Sequence, residues 1–175
     1  MKKYIFLTIF STILLVNCDF LSPQKKNEKD AYVINNYNKK EVDIVMRDGT
    51  KLHTTIYSPK DNHKTYPILM QRTPYSSAPY GKGNFKTKIG PNVHLMKEGN
   101  IVVYQDVRGR WMSEGVYDNM RAYIPNKKGN ETDEASDTYD TIDWLVKNIE
   151  NNNGNIGTWG ISYPGYYATV ATIDA

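Results

Sequence analysis

At 175 residues the chain is long enough for one buried core, and its formal net charge of +3 raises nucleic acid or an anionic membrane as partners. The distribution of that charge removes the first: residues 1–40 carry seven lysines against Asp19, Glu28 and Asp30, while the rest carries 15 basic and 16 acidic groups. No phosphate-tracking surface, and so no nucleic-acid partner, is expected. Cys18 is the only cysteine, which excludes an intrachain disulfide and a cysteine-built metal site.

Lys2 and Lys3 precede an apolar run from Tyr4 to Val16. The run falls short of the ~20 residues that cross a bilayer. Its order of basic start, apolar centre and polar tail reads as an export signal over residues 1–18. Leu15-Val16-Asn17-Cys18 resembles a bacterial lipobox, with Asn17 where a small residue is usual; the resemblance implies lipidation of Cys18. The expectation is an exported protein held by a lipid anchor in the bacterial envelope, on the periplasmic or outer-membrane face, or else secreted after simple cleavage. Residues 19–40, rich in Lys, Asn and Gln, read as a flexible polar tether, with a single globular domain over 41–175.

Within that domain, Glu41 to Met46 and Leu52 to Tyr57 alternate apolar and polar positions around Arg47-Asp48-Gly49-Thr50, which predicts a hairpin. Tyr66 to Gln71 and Ile101 to Gln105 are more continuously apolar, as strands buried on both faces of a largely parallel sheet are. Between them, His94 to Gly99 reads as the end of a helix closed by glycine. Tyr139, Ile142, Leu145, Val146 and Ile149 recur at helical spacing, predicting a helix over 137–149 with Asp137 as N-cap. Glu131, Asp133, Glu134, Asp137, Asp140 and Asp143 are read as favourable charges near that helix N-terminus rather than as a metal site or an ammonium-binding cluster. Asp106-Val107-Arg108-Gly109-Arg110 follows a buried strand. It is read as structural, with a partly buried Asp106–Arg108 ion pair; the alternative gives Arg108 or Arg110 to a substrate carboxylate.

The stretch from Gly154 to Gly165 organises the rest. An apolar strand, Ile156 to Trp159, runs into Gly160-Ile161-Ser162-Tyr163-Pro164-Gly165, and Tyr166 to Ile173 has the composition of a buried helix. Strand, sharp turn and helix is the arrangement that lifts a serine hydroxyl out of the chain toward a base and toward oxyanion donors. The spacing is G-x-S-x-x-G where the general elbow pattern is G-x-S-x-G. Strand and helix alternation throughout predicts an α/β architecture.

Gly160 to Gly165 resembles the G-x-S-Y-x-G nucleophile segment of the cocaine-esterase and X-Pro dipeptidyl-peptidase (CocE/NonD) family of α/β-hydrolases, which includes α-amino-acid ester hydrolases and cephalosporin acylases. Three other stretches agree in order: Met46 to Leu52, Arg72-Thr73-Pro74-Tyr75, and Tyr104 to Arg110 followed by Ser113-Glu114-Gly115. The resemblance implies the N-terminal half of an α/β-hydrolase sheet, ending just after the nucleophile helix. It further implies Ser162 as nucleophile, the Tyr75 hydroxyl and the Tyr163 backbone amide as oxyanion donors, and a small ester, amide or peptide as substrate. No cofactor is implied, because acyl transfer of this kind needs none.

His53, His63 and His94 all precede Ser162, whereas α/β-hydrolases run in the order Ser, Asp or Glu, His. None is therefore expected to be the base, and their scatter supports no zinc site. The triad acid and base are expected beyond residue 175, so the chain reads as part of a serine hydrolase, inert and poorly soluble alone. A truncated remnant and a surface-anchored binding lipoprotein of the same fold are the alternatives. The oligomeric state is not assigned.

Overall fold

The computed structural model describes residues 28–173. The expected export signal, Cys18 and the first part of the tether lie outside them. Five strands form one sheet in the order β1-β2-β4-β3-β5: β1 (Tyr37–Val45), β2 (Lys51–Pro59), β3 (Tyr66–Thr73), β4 (Ile101–Asp106) and β5 (Asn152–Thr158). Four helices accompany it: α1 (Glu28–Asn36), α2 (Val93–Glu98), α3 (Glu134–Asn148) and α4 (Tyr163–Val170).

The sheet is mixed rather than largely parallel. β3 runs parallel to both β4 and β5, but β1–β2 and β2–β4 are antiparallel. Residues 46–50 are too few for the crossover that a parallel pair needs, so β1 and β2 must reverse. The expected hairpin forms there, closed by Met46 N–H on Thr50 O at 2.8 Å and by Gly49, whose φ of 87° suits glycine.

Alternation along the strands divides the core between the two faces. On one face Ile44, Leu52, Ile56, Ile68, Met70, Ile101 and Val103 pack with Leu145 and Ile149, the inner stripe and cap of α3. On the other, Tyr57, Val102 and Tyr104 pack with Val33 and Tyr37 from the N-terminal segment and Met96 of α2. Each fully buried aliphatic side chain contributes about 1.5–3 kcal/mol, which makes the central strand β4, buried at all six positions, the anchor of the fold.

Several boundaries differ from those read in the sequence: β5 runs over Asn152–Thr158 rather than Ile156 to Trp159, and α4 over Tyr163–Val170 rather than Tyr166 to Ile173. The stretch assigned to a tether contributes α1 and the start of β1, because it carries its own core residues: Val33 and Tyr37 are fully buried, and the Tyr37 hydroxyl donates to Met96 O at 2.6 Å. The N-cap of α3 is Asp133, not Asp137. Asp133 and Ser136 form a reciprocal box, Ser136 N–H on Asp133 Oδ1 at 2.9 Å and Asp133 N–H on Ser136 Oγ at 2.8 Å. Asp137 is thereby left inside the first turn, completely buried. The helix before β4 ends as expected, at Gly99 with φ 90°.

Candidate active site

β5 ends at Thr158 and α4 begins at Tyr163, so the chain reverses within four residues at the C-terminal edge of the sheet, where open α/β sheets place their sites. Gly160 makes this possible. A Cβ there would stand 2.1 Å from both the carbonyl carbon and oxygen of Pro164, so only glycine lets the strand end lie against the first turn of α4. Gly165 is packed against Gly160 O on the helix side.

Ser162 sits at the tip with φ 61° and ψ −127°, a conformation that costs a non-glycine residue of order 1–3 kcal/mol. It occupies the N-cap position of α4, yet its side chain makes no capping hydrogen bond, and the residue is exposed. Pro164 has no N–H to be capped, and Gly165 N–H is taken by Ser162 O at 2.9 Å. The hydroxyl is consequently left out of local structure, beside the Tyr163 amide at the helix N-terminus.

The Tyr163 side chain fixes that amide. Its ring stacks on Tyr167 at 5.3 Å, nearly parallel. Its hydroxyl accepts from Tyr117 Oη at 2.8 Å and Met120 N–H at 2.9 Å and donates to Asn119 Oδ1 at 2.6 Å. Burial and the Tyr163 hydroxyl push the Tyr117 phenol up to about 12. Tyr75 comes from the turn after β3. Its side chain is 61% exposed, and its ring meets that of Tyr163 edge to face, centroids 6.3 Å apart. Ser162, Tyr163 and Tyr75, drawn from two segments nearly 90 positions apart, are thus brought to one place.

The charged residues around this edge are arranged differently from the sequence reading. Asp106 does not pair with Arg108. Its carboxylate accepts from Ser77 N–H at 2.6 Å, Tyr80 Oη at 2.7 Å and Met112 N–H at 3.3 Å. Arg108 instead reaches Asp137 Oδ1 and Asp48 Oδ2, both at 2.6 Å. Burial works against its charge, but the two carboxylates hold it firmly protonated. Arg72 completes the buried group, contacting Glu134 Oε2 at 3.0 Å and donating to Gln105 Oε1 and Thr138 Oγ1. The acidic run is therefore more than a helix-dipole feature: Glu134 and Asp137 are counter-ions to buried arginines. Arg110 is half-buried, its Nε donating to Pro74 O at 3.2 Å and its guanidinium 4.9 Å over the Tyr117 ring.

His53 lies on β2 with Nδ1 2.9 Å from Asp43 Oδ1. Three strand spacings, about 14 Å, separate β2 from β5, beyond the hydrogen-bond reach a base requires. His94 is on α2 and His63 in the loop before β3.

Residues 48–175 match the X-Pro dipeptidyl-peptidase (S15 family) profile. The chain belongs to the X-Pro dipeptidyl-peptidase family. Cocaine esterase from Rhodococcus sp. (strain MB1 Bresler) is 31% identical over 122 residues, 70% of this chain and 19% of that protein. Among solved structures, an aminopeptidase from a marine sediment Thaumarchaeota archaeon superimposes with a TM-score of 0.70 and 37% identity, covering 89% of this chain and 26% of that one. An α-amino acid ester hydrolase does so with a TM-score of 0.68 and 36% identity, covering 92% and 26%. This chain thus spans about a fifth to a quarter of the length of these hydrolases. The family match includes Tyr75, Ser162 and Tyr163.

Sequence reasoning missed Tyr117 and Asn119, which hydrogen-bond the Tyr163 hydroxyl, and Tyr80 and Asp106, which bond the residues that follow Tyr75. Asp106 stood in a recognised motif but was given the wrong partner. Tyr80, Tyr117 and Asn119 lie in irregular segments with no periodicity, and only the tertiary contacts reveal them.

Proposed function

We propose that this chain forms the N-terminal part of an exported serine hydrolase that cleaves an ester or amide through an acyl-enzyme. Ser162 carries the reading: a serine held exposed at φ 61° at a helix N-terminus, without capping that helix, is placed to attack rather than to support structure. Ser162 Oγ adds to the substrate carbonyl, the alkoxide so formed is held by the Tyr163 N–H and the Tyr75 hydroxyl, and collapse expels the alcohol or amine. Water then releases the acid. Two such donors stabilise the oxyanion without changing protonation state, each contributing about 10²–10³ in rate.

The base that takes the Ser162 proton is not one of this chain's three histidines, given their order in sequence and the position of His53. We place the His and its Asp in the additional length that the related hydrolases possess. On this reading the 175 residues alone are inert, and Cys18 carries the lipid anchor. Acyl esters, β-lactam side chains and X-Pro peptides are the candidate substrates.

The test is hydrolysis of p-nitrophenyl acetate by the complete native gene product. Activity that disappears in Ser162→Ala supports the proposal; activity unchanged by that substitution contradicts it.

A further inference from the structure

The turn that presents Tyr75 is not held by its own backbone. Ser76, the next residue, has φ 98°, a left-handed conformation that a serine keeps only when its surroundings enforce it. The enforcement is a chain of hydrogen bonds ending on one buried carboxylate. Ala78 N–H donates to Ser76 Oγ at 3.0 Å, Ser76 Oγ and Tyr80 Oη lie 2.9 Å apart, and Tyr80 O–H donates to Asp106 Oδ2 at 2.7 Å. Because the single Tyr80 proton goes to Asp106, the Ser76 hydroxyl must donate to Tyr80. Ser77 N–H donates to Asp106 Oδ1 at 2.6 Å. Asp106 and Ser77 are both fully buried. Asp106 is the last residue of β4, so the turn is referred to the most buried strand of the sheet.

Resting on the acyl-transfer reading above, we propose that Tyr80 and Asp106 are positioning residues that hold the Tyr75 hydroxyl at the place where the oxyanion forms. Neither touches the reacting atoms; both act through the Ser76–Ser77 backbone. The same carboxylate accepts from Met112 N–H at 3.3 Å, and the Asp106 main-chain oxygen accepts from Ser113 Oγ at 2.7 Å, so the loop after β4 is fixed to the same point. Because chains of hydrogen bonds strengthen one another in a buried setting, removal of one member loosens the whole turn.

The experiment is a double-mutant cycle on kcat for p-nitrophenyl acetate, in the complete native gene product, with Tyr80→Phe, Tyr75→Phe and both together. Tyr80→Phe keeps the ring and its edge contact with His53, centroids 5.5 Å apart, and removes only the hydroxyl. It is expected to lower kcat roughly 10-fold with KM within about two-fold of the wild type, and Tyr75→Phe roughly 100-fold. The double variant should match Tyr75→Phe alone, since a positioning residue has nothing left to position. If Tyr80→Phe costs the same factor in both backgrounds, or leaves kcat unchanged, Tyr80 and Asp106 are structural only and the proposal is wrong. If Tyr75→Phe leaves kcat unchanged, the oxyanion role itself fails, and this inference with it.

Discussion

Arg108 Nη2 lies 2.6 Å from Asp137 Oδ1, and its Nη1 the same distance from Asp48 Oδ2, so one guanidinium joins the loop after β4 to the first turn of α3 and to the β1–β2 turn. These segments are 29 and 60 positions from Arg108. The joint follows the C-terminal end of the central strand β4, and all three of its side chains are engaged with one another, which makes it a support of the fold.

Removing one partner of this joint strands a buried charge. Arg108→Ala is expected to destabilise the protein by about 3–5 kcal/mol in urea unfolding. Lys147→Ala breaks the solvent-exposed pair with Asp143 and should leave the midpoint unchanged. Equal effects from the two would show that Arg108 is not bearing structural load.

Ser162 and stability should trade against one another. Its φ of 61° and ψ of −127° suit glycine, so Ser162→Gly should be more stable than Ser162→Ala by about 1–2 kcal/mol, with hydrolysis lost in both. Identical unfolding midpoints would mean that the turn stores no strain.

The close approach of strand and helix gives a second contrast. Gly160→Ala would force a Cβ to 2.1 Å from Pro164 and should cost about 3 kcal/mol or more, together with the reactivity of Ser162. Gly157→Ala, three residues earlier in β5, meets only Leu69 Cδ2 at 3.4 Å and should be tolerated. Thermal unfolding of the two variants decides it.

Two acidic groups respond to pH with opposite sign. Burial raises the Glu134 carboxyl above its ordinary value, with Arg72 opposing. Its contribution is therefore complete below the ordinary carboxylate range and falls as pH rises through the raised value. Asp133 is lowered: burial opposes its charge, but Ile124 N–H, Lys127 Nζ and Ser136 N–H favour it. Its contribution is present above the ordinary range and is lost as pH falls through the lowered value. Across about pH 2 to 7, and relative to the wild type, Glu134→Gln should gain stability as pH rises above the ordinary carboxylate value, and Asp133→Asn should lose it as pH rises toward that value from below. Parallel curves across that range would contradict both.

What the sequence disclosed divides along physical lines. The hairpin, the strands Tyr66–Thr73 and Ile101–Asp106 and the Gly99 helix end were legible because alternation and a left-handed glycine are local signals. The turn at Ser162 was legible because small residues at fixed spacing are what a tight strand-to-helix reversal demands. α1 was missed because its stretch is polar apart from a few residues such as Val33, and it packs through long-range contacts. Asp133 was passed over as N-cap because its partner three positions on is Ser136 instead of the usual Glu or Gln. The Asp106 and Arg108 partners were missed for a different reason: neighbours in sequence were paired with each other, whereas each reaches a separate segment of the fold.

The measurement that bears most directly on the hydrolase reading is fluorophosphonate labelling of the complete native gene product in a cell extract, with the modified peptide identified by mass spectrometry. Covalent modification at Ser162, abolished in Ser162→Ala, is the predicted result. A gene product that is present, folded and unlabelled at Ser162 would contradict it.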